Sequence, residues 1–172
     1  RRKHHDNRTQ GTGVVADQRR RAGSAGQRGR HAHGPRRQAR RGRLHVARDG
    51  RVLICDSYRG LRAREPGTGE LTSLVQNGEG RPLRCCSNVT ETADGTIYFT
   101  ESTSAFHFEH FLGAVLEARG RGGLFRLATD GTVTTVVDGL YFANGLTVTA
   151  DGSALVFAET LARRLSKYWL TG

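Results

Sequence analysis

The sequence predicts an all-β fold made of β-propeller blades, preceded by a disordered basic segment. Three observations support this. All twelve aromatic residues fall after residue 43. Asp-Gly pairs recur between short apolar strands, as in the tight turns that join antiparallel strands. The same strand pattern returns after about 45 and then about 57 residues, a spacing typical of propeller blades.

The excess positive charge lies in one part of the chain. The 172 residues include 27 Lys and Arg against 16 Asp and Glu, a net charge of +11. Residues 1–43 carry +12 and residues 44–172 carry −1. This excludes a uniformly basic nucleic-acid-binding domain, and no specific nucleic acid partner is expected.

Residues 1–43 contain no Leu, Ile or aromatic residue, so they cannot bury enough apolar surface to offset the entropy of ordering. We expect this segment to be disordered. Three interpretations stay open: an arm that binds polyanions in a salt-dependent way, a passive tail, or an out-of-frame translation of a GC-rich gene. Residues 44–172 form the predicted propeller region.

The sequence also indicates whether membrane, secretory and cysteine-based features are present. No apolar run reaches about 18 residues, so we expect no transmembrane helix. The N-terminus lacks the apolar core of a signal peptide, so the compartment is open, with the cytoplasm as the default. Cys55, Cys85 and Cys86 have neither zinc-ligand spacing nor an even count, and we expect buried free thiols.

Three segments align on the Asp-Gly turns: residues 44–60, 88–102 and 146–160. Each is predicted to form a short strand, a turn and an apolar strand that ends in an acid. A third strand follows in each repeat, and the first two repeats add a fourth. The chain thus supplies about three four-stranded blades. A sandwich or barrel would also have many short strands, but would not require the same turn and terminal acid in each unit. The terminal acids are Asp56, Glu101 and Glu159.

Residues 106–119 interrupt the second repeat between its second and third strands. Their apolar residues follow helical spacing, which predicts a short helical insertion. His107 and His110 lie three apart on it, a spacing that suits a metal ion. Without a third ligand nearby, we favour a packing or surface role for them.

Three stretches resemble strictosidine synthase-like proteins: residues 55–61 (CDSYRGL), residues 80–102 and residues 139–172. The last, with its Phe-Ala-Asn-Gly motif, is also similar to adipocyte plasma membrane-associated proteins and paraoxonases. The SMP-30/gluconolactonase proteins are more distant relatives. The resemblance implies a six-bladed propeller with its active site in the central channel, of which this chain is a fragment.

The resemblance also implies a metal site. In the metal-dependent relatives a divalent ion such as calcium lies in the channel, held by carboxylate and Asn oxygens, and polarises an ester or lactone carbonyl. Asn144 matches one ligand. Ser87-Asn88 occupies the place of an Asn-Asp pair in paraoxonases, so Ser87 is the weaker ligand and Asn88 replaces Asp. The other ligands would come from blades outside this chain.

Several roles stay open. Asn144 could instead cap the turn beside Gly145. Glu101 and Glu159 are channel-lining candidates together with Ser87 and Asn88, but the two acids could simply pair with arginines such as Arg163 and Arg164.

The expected function is that of a propeller hydrolase acting on small lactones or esters through a channel metal, with this truncated chain inactive by itself. The catalytic residues are unknown. One alternative is a non-catalytic binding module. Another is a carbon–nitrogen lyase of the strictosidine synthase type, whose catalytic Glu the resemblance places beyond residue 172. The sequence does not set the oligomeric state.

Overall fold

A computed structural model describes residues 42–170 as antiparallel sheets arranged as successive blades. The predicted disorder of residues 1–43 falls almost wholly outside this range. Blade 1 contains β1 (Leu44–Val46), β2 (Val52–Asp56), β3 (Gly60–Arg64) and β4 (Leu71–Val75). The short pair β5 (Asn77–Gly78) and β6 (Arg81–Pro82) follows. Blade 2 contains β7 (Cys86–Glu91), β8 (Ile97–Glu101), β9 (Gly122–Leu127) and β10 (Val133–Leu140). Blade 3 contains β11 (Ala143–Val148), β12 (Ala154–Glu159) and β13 (Arg164–Trp169).

Within each blade the strands pair in chain order, so β1, β7 and β11 are the first strands of three consecutive sheets. This confirms the predicted partial propeller. The helical insertion is also present, as a 3-10 turn at Phe108–His110 and α1 at Phe111–Glu117, between β8 and β9. In α1 only Ala114 is buried, and Leu116 is largely exposed. No helix in the described range is long and apolar enough to cross a membrane.

The four Asp-Gly turns share one geometry. In each, the glycine N–H donates to the carbonyl three residues earlier, and the glycine has a positive φ that a side chain would strain. The aspartate carboxylate accepts the N–H two residues further on, at 2.8 to 3.2 Å. These Asx-type bonds explain why the pair recurs at the same place in each repeat. The turns are Asp49-Gly50, Asp94-Gly95, Asp130-Gly131 and Asp151-Gly152.

The core consists of two layers, one on each side of blade 2. The first lies between blades 1 and 2 and includes Leu53, Cys55 and the stacked rings of Phe99 and Phe125, whose centroids are 5.3 Å apart. The second lies between blades 2 and 3 and includes Leu155 and Phe157. Each blade is held to its neighbour by apolar side chains that alternate along the strands.

Candidate functional site

The first strands of the three blades place equivalent residues around one cavity. Gly42, Ser87 and Asn144 each lie seven residues before the aspartate of their Asp-Gly turn. All three line a cavity of about 210 Å³, which we call the inner cavity. Its remaining lining residues come from all three blades and from the insertion: Arg43, Ser57, Cys85, Cys86, Ser102, Phe108 and Phe142.

Two of the predicted site residues meet in this cavity. Ser87 Oγ donates a hydrogen bond to Asn144 Oδ1 at 3.2 Å, across the boundary between blades 2 and 3. Asn144 Nδ2 in turn donates to Thr160 Oγ1 at 3.4 Å. The Asn144 amide is therefore oriented by contacts at both of its polar atoms, and its oxygen points to Ser87.

The backbone that carries Asn144 is fixed by hydroxyl groups from blade 2. Thr100 Oγ1 donates to the Asn144 carbonyl at 2.9 Å and accepts the Asn88 N–H at 3.1 Å. Ser102 Oγ donates to the Ala143 carbonyl at 2.7 Å. Because Thr100 and Ser102 are both buried, these bonds replace water at the carbonyl groups and hold β11 against β8.

Asn88 does not line the inner cavity. Its Oδ1 accepts the N–H of Val89 at 2.8 Å. It instead borders a groove on blade 3, near Gly145 and Leu146. The structure thus brings Ser87 and Asn144 together and places Asn88 on the other side of β7, as expected for successive residues of a strand.

Glu101 lies at the end of β8 and is fully buried. Its Oε1 accepts the Arg84 N–H at 2.7 Å, and its Oε2 lies 2.7 Å from Arg81 Nη2. The carboxylate therefore ties the end of β8 to the segment that leads into β7. This channel-lining candidate does not border the inner cavity.

Glu159 repeats this arrangement in blade 3. Its two oxygens accept the Tyr141 N–H at 3.0 Å, Arg164 Nε at 2.7 Å and Ser166 Oγ at 2.7 Å. Burial alone would raise the pKa of Glu159, but these hydrogen bonds outweigh burial and hold the pKa below its ordinary value. Glu159 pairs with Arg164 rather than Arg163 and, like Glu101, does not border the inner cavity.

Blade 1 contributes no side chain at the equivalent position, because Gly42 stands there. A Cβ on Gly42 would lie 1.5 Å from the Cys55 carbonyl oxygen, so only glycine fits so close to β2. The Arg43 carbonyl accepts the Cys55 N–H at 3.1 Å, so the pairing begins before Leu44. At this position of the repeat, the inner cavity therefore has a hydroxyl from blade 2 and an amide from blade 3, and no side chain from blade 1.

The thiols are free and buried, as the sequence predicts. Burial raises the pKa of Cys85 to about 12. The pKa of Cys86 is also raised, chiefly by burial and secondly by a hydrogen bond with Cys55. Both thiols border the inner cavity but stay protonated at neutral pH, so they are poor nucleophiles there.

The insertion lies over one side of the cavity. The Glu109 carboxylate accepts a hydrogen bond from the Tyr58 hydroxyl; this bond raises the pKa of Tyr58 and lowers that of Glu109. The His107 ring stacks on Tyr58 with centroids 6.0 Å apart. Phe108 closes the cavity on that side. His107 thus has a packing contact that joins the insertion to blade 1.

The inner cavity fits a hard divalent cation in part. Two oxygens that share a calcium ion at about 2.4 Å lie about 3 Å apart, close to the 3.2 Å between Ser87 Oγ and Asn144 Oδ1. Calcium takes about six to eight oxygen ligands, so these two neutral donors would form only part of a site. No cluster of three His, Cys, Asp or Glu side chains within residues 42–170 is arranged to hold a metal ion.

Sequence reasoning did not single out the hydroxyls that order the site, of which Ser57 and Ser102 are buried and Thr160 is exposed. Ser57, Ser102 and Thr160 each follow the acid at the end of a second strand. Ser57 Oγ donates to the Cys86 carbonyl at 3.4 Å, which matches the bond from Ser102 to Ala143 one blade further on. The signal in the sequence was a Ser or Thr directly after the acid in each of the three repeats.

Comparison with known proteins agrees with this architecture. Residues 88–172 match the family model described as strictosidine synthase. Strictosidine synthase-like protein 3 of Arabidopsis thaliana is 33% identical over 73% of this chain and 32% of its own length. The adipocyte plasma membrane-associated protein of Salmo salar is 32% identical over 75% of this chain and 32% of its own length. The chain thus spans about a third of the length of these curated relatives.

Solved structures show the same fold at lower identity. A gluconolactonase from Xanthomonas campestris has a TM-score of 0.60 and 18% identity, over 75% of this chain and 44% of its own. The calcium-binding protein regucalcin from Agrobacterium tumefaciens has a TM-score of 0.56 and 22% identity, over 74% of this chain and 39% of its own. In sequence, the blades that follow residue 43 are thus similar to strictosidine synthase-like proteins and to adipocyte plasma membrane-associated proteins.

Proposed function

We propose that the inner cavity is part of a divalent-cation site, and that the complete propeller hydrolyses small lactones or esters there. One observation carries the proposal: Ser87 and Asn144, from adjacent blades, direct two oxygens 3.2 Å apart into one cavity. The fold it shares with a gluconolactonase and with a calcium-binding regucalcin supports both parts of the proposal.

A bound divalent cation would polarise the substrate carbonyl and stabilise the oxyanion that develops on it. Asn144 would hold the cation through Oδ1, and its amide is preoriented by the bond from Nδ2 to Thr160. Ser87 would turn its hydroxyl proton away from Asn144 and present an oxygen lone pair. Preorientation of this kind lowers the cost of ordering the ligands when the cation binds.

The other walls of the inner cavity suit an uncharged substrate. Phe108 and Phe142 are apolar, and the Cys85 thiol is neutral at physiological pH. These groups would exclude water from one side of the carbonyl carbon, which strengthens electrostatic interactions within the cavity. A small lactone or an aryl ester has the required combination of an apolar body and one polar carbonyl.

The test measures hydrolysis of δ-valerolactone and phenyl acetate by the complete propeller, with calcium and with a chelator. We expect Asn144→Ala to lower kcat/KM at least about tenfold and to weaken calcium binding. Thr134→Ala, at an exposed position on the outer strand of blade 2, is the control and should leave both unchanged. Full activity of the Asn144→Ala variant would contradict the proposal.

A non-catalytic binding module is the second candidate, favoured by one observation. The Asn88 amide oxygen is already engaged by Val89, and blade 1 presents glycine at the cavity. A cation site would then lack ligands. Calcium that binds the folded protein must raise its thermal stability. An unchanged melting temperature at saturating calcium, together with absent hydrolysis, would support this second function over the first.

A further inference from the structure

The insertion between β8 and β9 is joined to blade 2 at its base. The Ser104 N–H donates to the Arg121 carbonyl at 2.8 Å and closes the loop where it leaves the sheet. Within residues 42–170, no backbone hydrogen bond connects residues 105–118 with another part of the chain. The position of the insertion over the inner cavity therefore depends on contacts of its side chains.

The insertion is packed internally, so it can move as one body. The Phe106 ring lies against Gly113, where a Cβ would come within 2.6 Å of Phe106 Cε1. The rings of Phe108 and Phe111 stack with their centroids 5.9 Å apart. A rotation about the base of the insertion would carry Phe108 away from the inner cavity, which this ring closes on one side.

One hydrogen bond and one ring contact hold the insertion to blade 1. The Tyr58 hydroxyl donates to the Glu109 carboxylate, and the His107 ring stacks on Tyr58 at an interplanar angle of 12°. The Cys85 thiol, which borders the inner cavity, lies close to this contact. Burial chiefly raises the pKa of Cys85, and the charge of the nearby Glu109 adds to the effect. The same two contacts that hold the insertion thus lie beside a thiol of the cavity.

His107 also destabilises the closed arrangement. Its Nδ1 is buried and has no hydrogen-bond partner among the described residues. A buried polar atom without a partner disfavours the state that buries it, and water would reach this nitrogen if the insertion lifted. Glu109 is exposed, so solvent weakens the hydrogen bond that favours the closed state. Opposed contributions of this kind are expected of a segment with two accessible positions.

We propose that the insertion is a gate over the inner cavity, latched by the hydrogen bond from Tyr58 to Glu109 and biased towards opening by the unpaired nitrogen of His107. In the closed state Phe108 covers the cavity and the Cys85 thiol is shielded. In the open state the cavity and the thiol are both accessible. This inference goes beyond the proposed function, because it concerns entry to the cavity whatever ligand binds there.

The test measures how fast the Cys85 thiol of the complete, folded propeller reacts with methyl methanethiosulfonate. This reagent modifies thiols much faster than iodoacetamide does, so it detects rare openings, and tandem mass spectrometry distinguishes Cys85 from Cys86. We expect slow modification of the wild type. Tyr58→Phe keeps the stacked ring and should raise the rate about fivefold, the usual effect of one lost hydrogen bond.

Two further variants separate the latch from general destabilisation. Glu109→Ala should raise the rate as much as Tyr58→Phe does, and the double variant should exceed neither, because both substitutions remove the same hydrogen bond. His107→Phe should instead lower the rate about fivefold, because it keeps a ring on Tyr58 and removes the unpaired nitrogen.

Tyr141→Phe is the matched control, since it removes the hydroxyl of an exposed tyrosine outside the insertion and should leave the rate unchanged. Urea unfolding of each variant checks that a faster rate comes from the insertion and not from loss of the whole fold. Unchanged rates in Tyr58→Phe and Glu109→Ala would overturn the proposal. Additive effects of these two substitutions, or a faster rate in His107→Phe, would also overturn it. Absent hydrolysis of lactones and esters would contradict the proposed function and leave the gate standing.

Discussion

Ser87 Oγ donates a hydrogen bond to Asn144 Oδ1 at 3.2 Å and thereby joins the first strands of two neighbouring blades. This bond orders the amide, but it also occupies a lone pair that a cation would need. The strength of any cation site here therefore depends on the residue at position 87.

Replacing Ser87 with Asn should strengthen calcium binding about tenfold, because an amide oxygen is a better calcium ligand than a neutral hydroxyl. Isothermal titration calorimetry of the complete propeller measures the change. Ser73→Asn, the same substitution at an exposed position on β4, is the control and should not alter the affinity. Equal affinity in wild type and Ser87→Asn would argue against a cation at this cavity.

Thr100→Val should destabilise the chain by about 2–4 kcal/mol. The substitution keeps the shape of the side chain but leaves the Asn88 N–H and the Asn144 carbonyl without their partner in a buried layer. Urea unfolding measures the loss. Thr72→Val removes a longer, partly exposed bond to the Ala63 carbonyl and should cost less than about 1 kcal/mol. Equal losses would show that the inter-blade bond contributes no special stability.

Glu159→Ala should cost about 2–3 kcal/mol of unfolding free energy, chiefly because the Tyr141 N–H loses its acceptor. Arg164→Ala should cost less than Glu159→Ala, since Arg164 is exposed and Glu159 keeps its hydrogen bonds from Tyr141 and Ser166. Comparing the urea midpoints of the two variants separates the contribution of the hydrogen bond from the Tyr141 N–H to stability from that of the salt bridge. A larger loss in Arg164→Ala than in Glu159→Ala would contradict this assignment.

Acid should weaken the turn at Asp151 in a defined range. Hydrogen bonds from Thr149 and Ser153 lower the pKa of Asp151 from 3.8 to about 2. Because the folded state favours the ionised carboxylate, its contribution is fully present above pH 3.8 and is lost as the pH falls through 2. The chemical shift of Asp151 against pH measures this titration. Thr149→Val removes the largest cause and should move the pKa back toward 3.8; an unmoved value would contradict the assigned cause.

The three thiols should resist alkylation in the folded chain. Cys55, Cys85 and Cys86 are buried, and the pKa of Cys85, at about 12, leaves almost no thiolate at pH 8. Mass spectrometry after iodoacetamide treatment should show no adduct on the native chain and three adducts in urea. Rapid native labelling of Cys85 would show that the inner cavity admits solvent to that thiol.

The blades were predictable because their signals are local. Each Asp-Gly turn depends on an aspartate carboxylate that accepts a hydrogen bond from an N–H two residues away. Each strand depends on the alternation of apolar and polar residues over a few positions. The insertion was predictable for the same reason, since its apolar spacing is helical. Asn144 was assigned from a resemblance, and the structure adds its contact with Ser87.

What escaped prediction depends on contacts between distant residues. Gly42 lies at the end of a segment that has no Leu, Ile or aromatic residue, and only its approach to the Cys55 carbonyl shows why glycine stands there. The role of Ser102 depends on a carbonyl 41 residues away. Glu101 and Glu159 had two open interpretations, and only the positions of the Arg84 and Tyr141 N–H groups show that both acids tie strand ends within their blades.

Trp169 is the single tryptophan of the chain, and it stands exposed on β13 with Lys167 Nζ 3.6 Å from the centre of its ring. Indole fluorescence therefore arises from one known place on the molecule, without any label. Transfer of that ring from solvent to a drier environment shifts its emission to shorter wavelength and shields it from collisional quenchers such as acrylamide. The emission wavelength of Trp169 can thus report whether another molecule binds to this edge of the sheet.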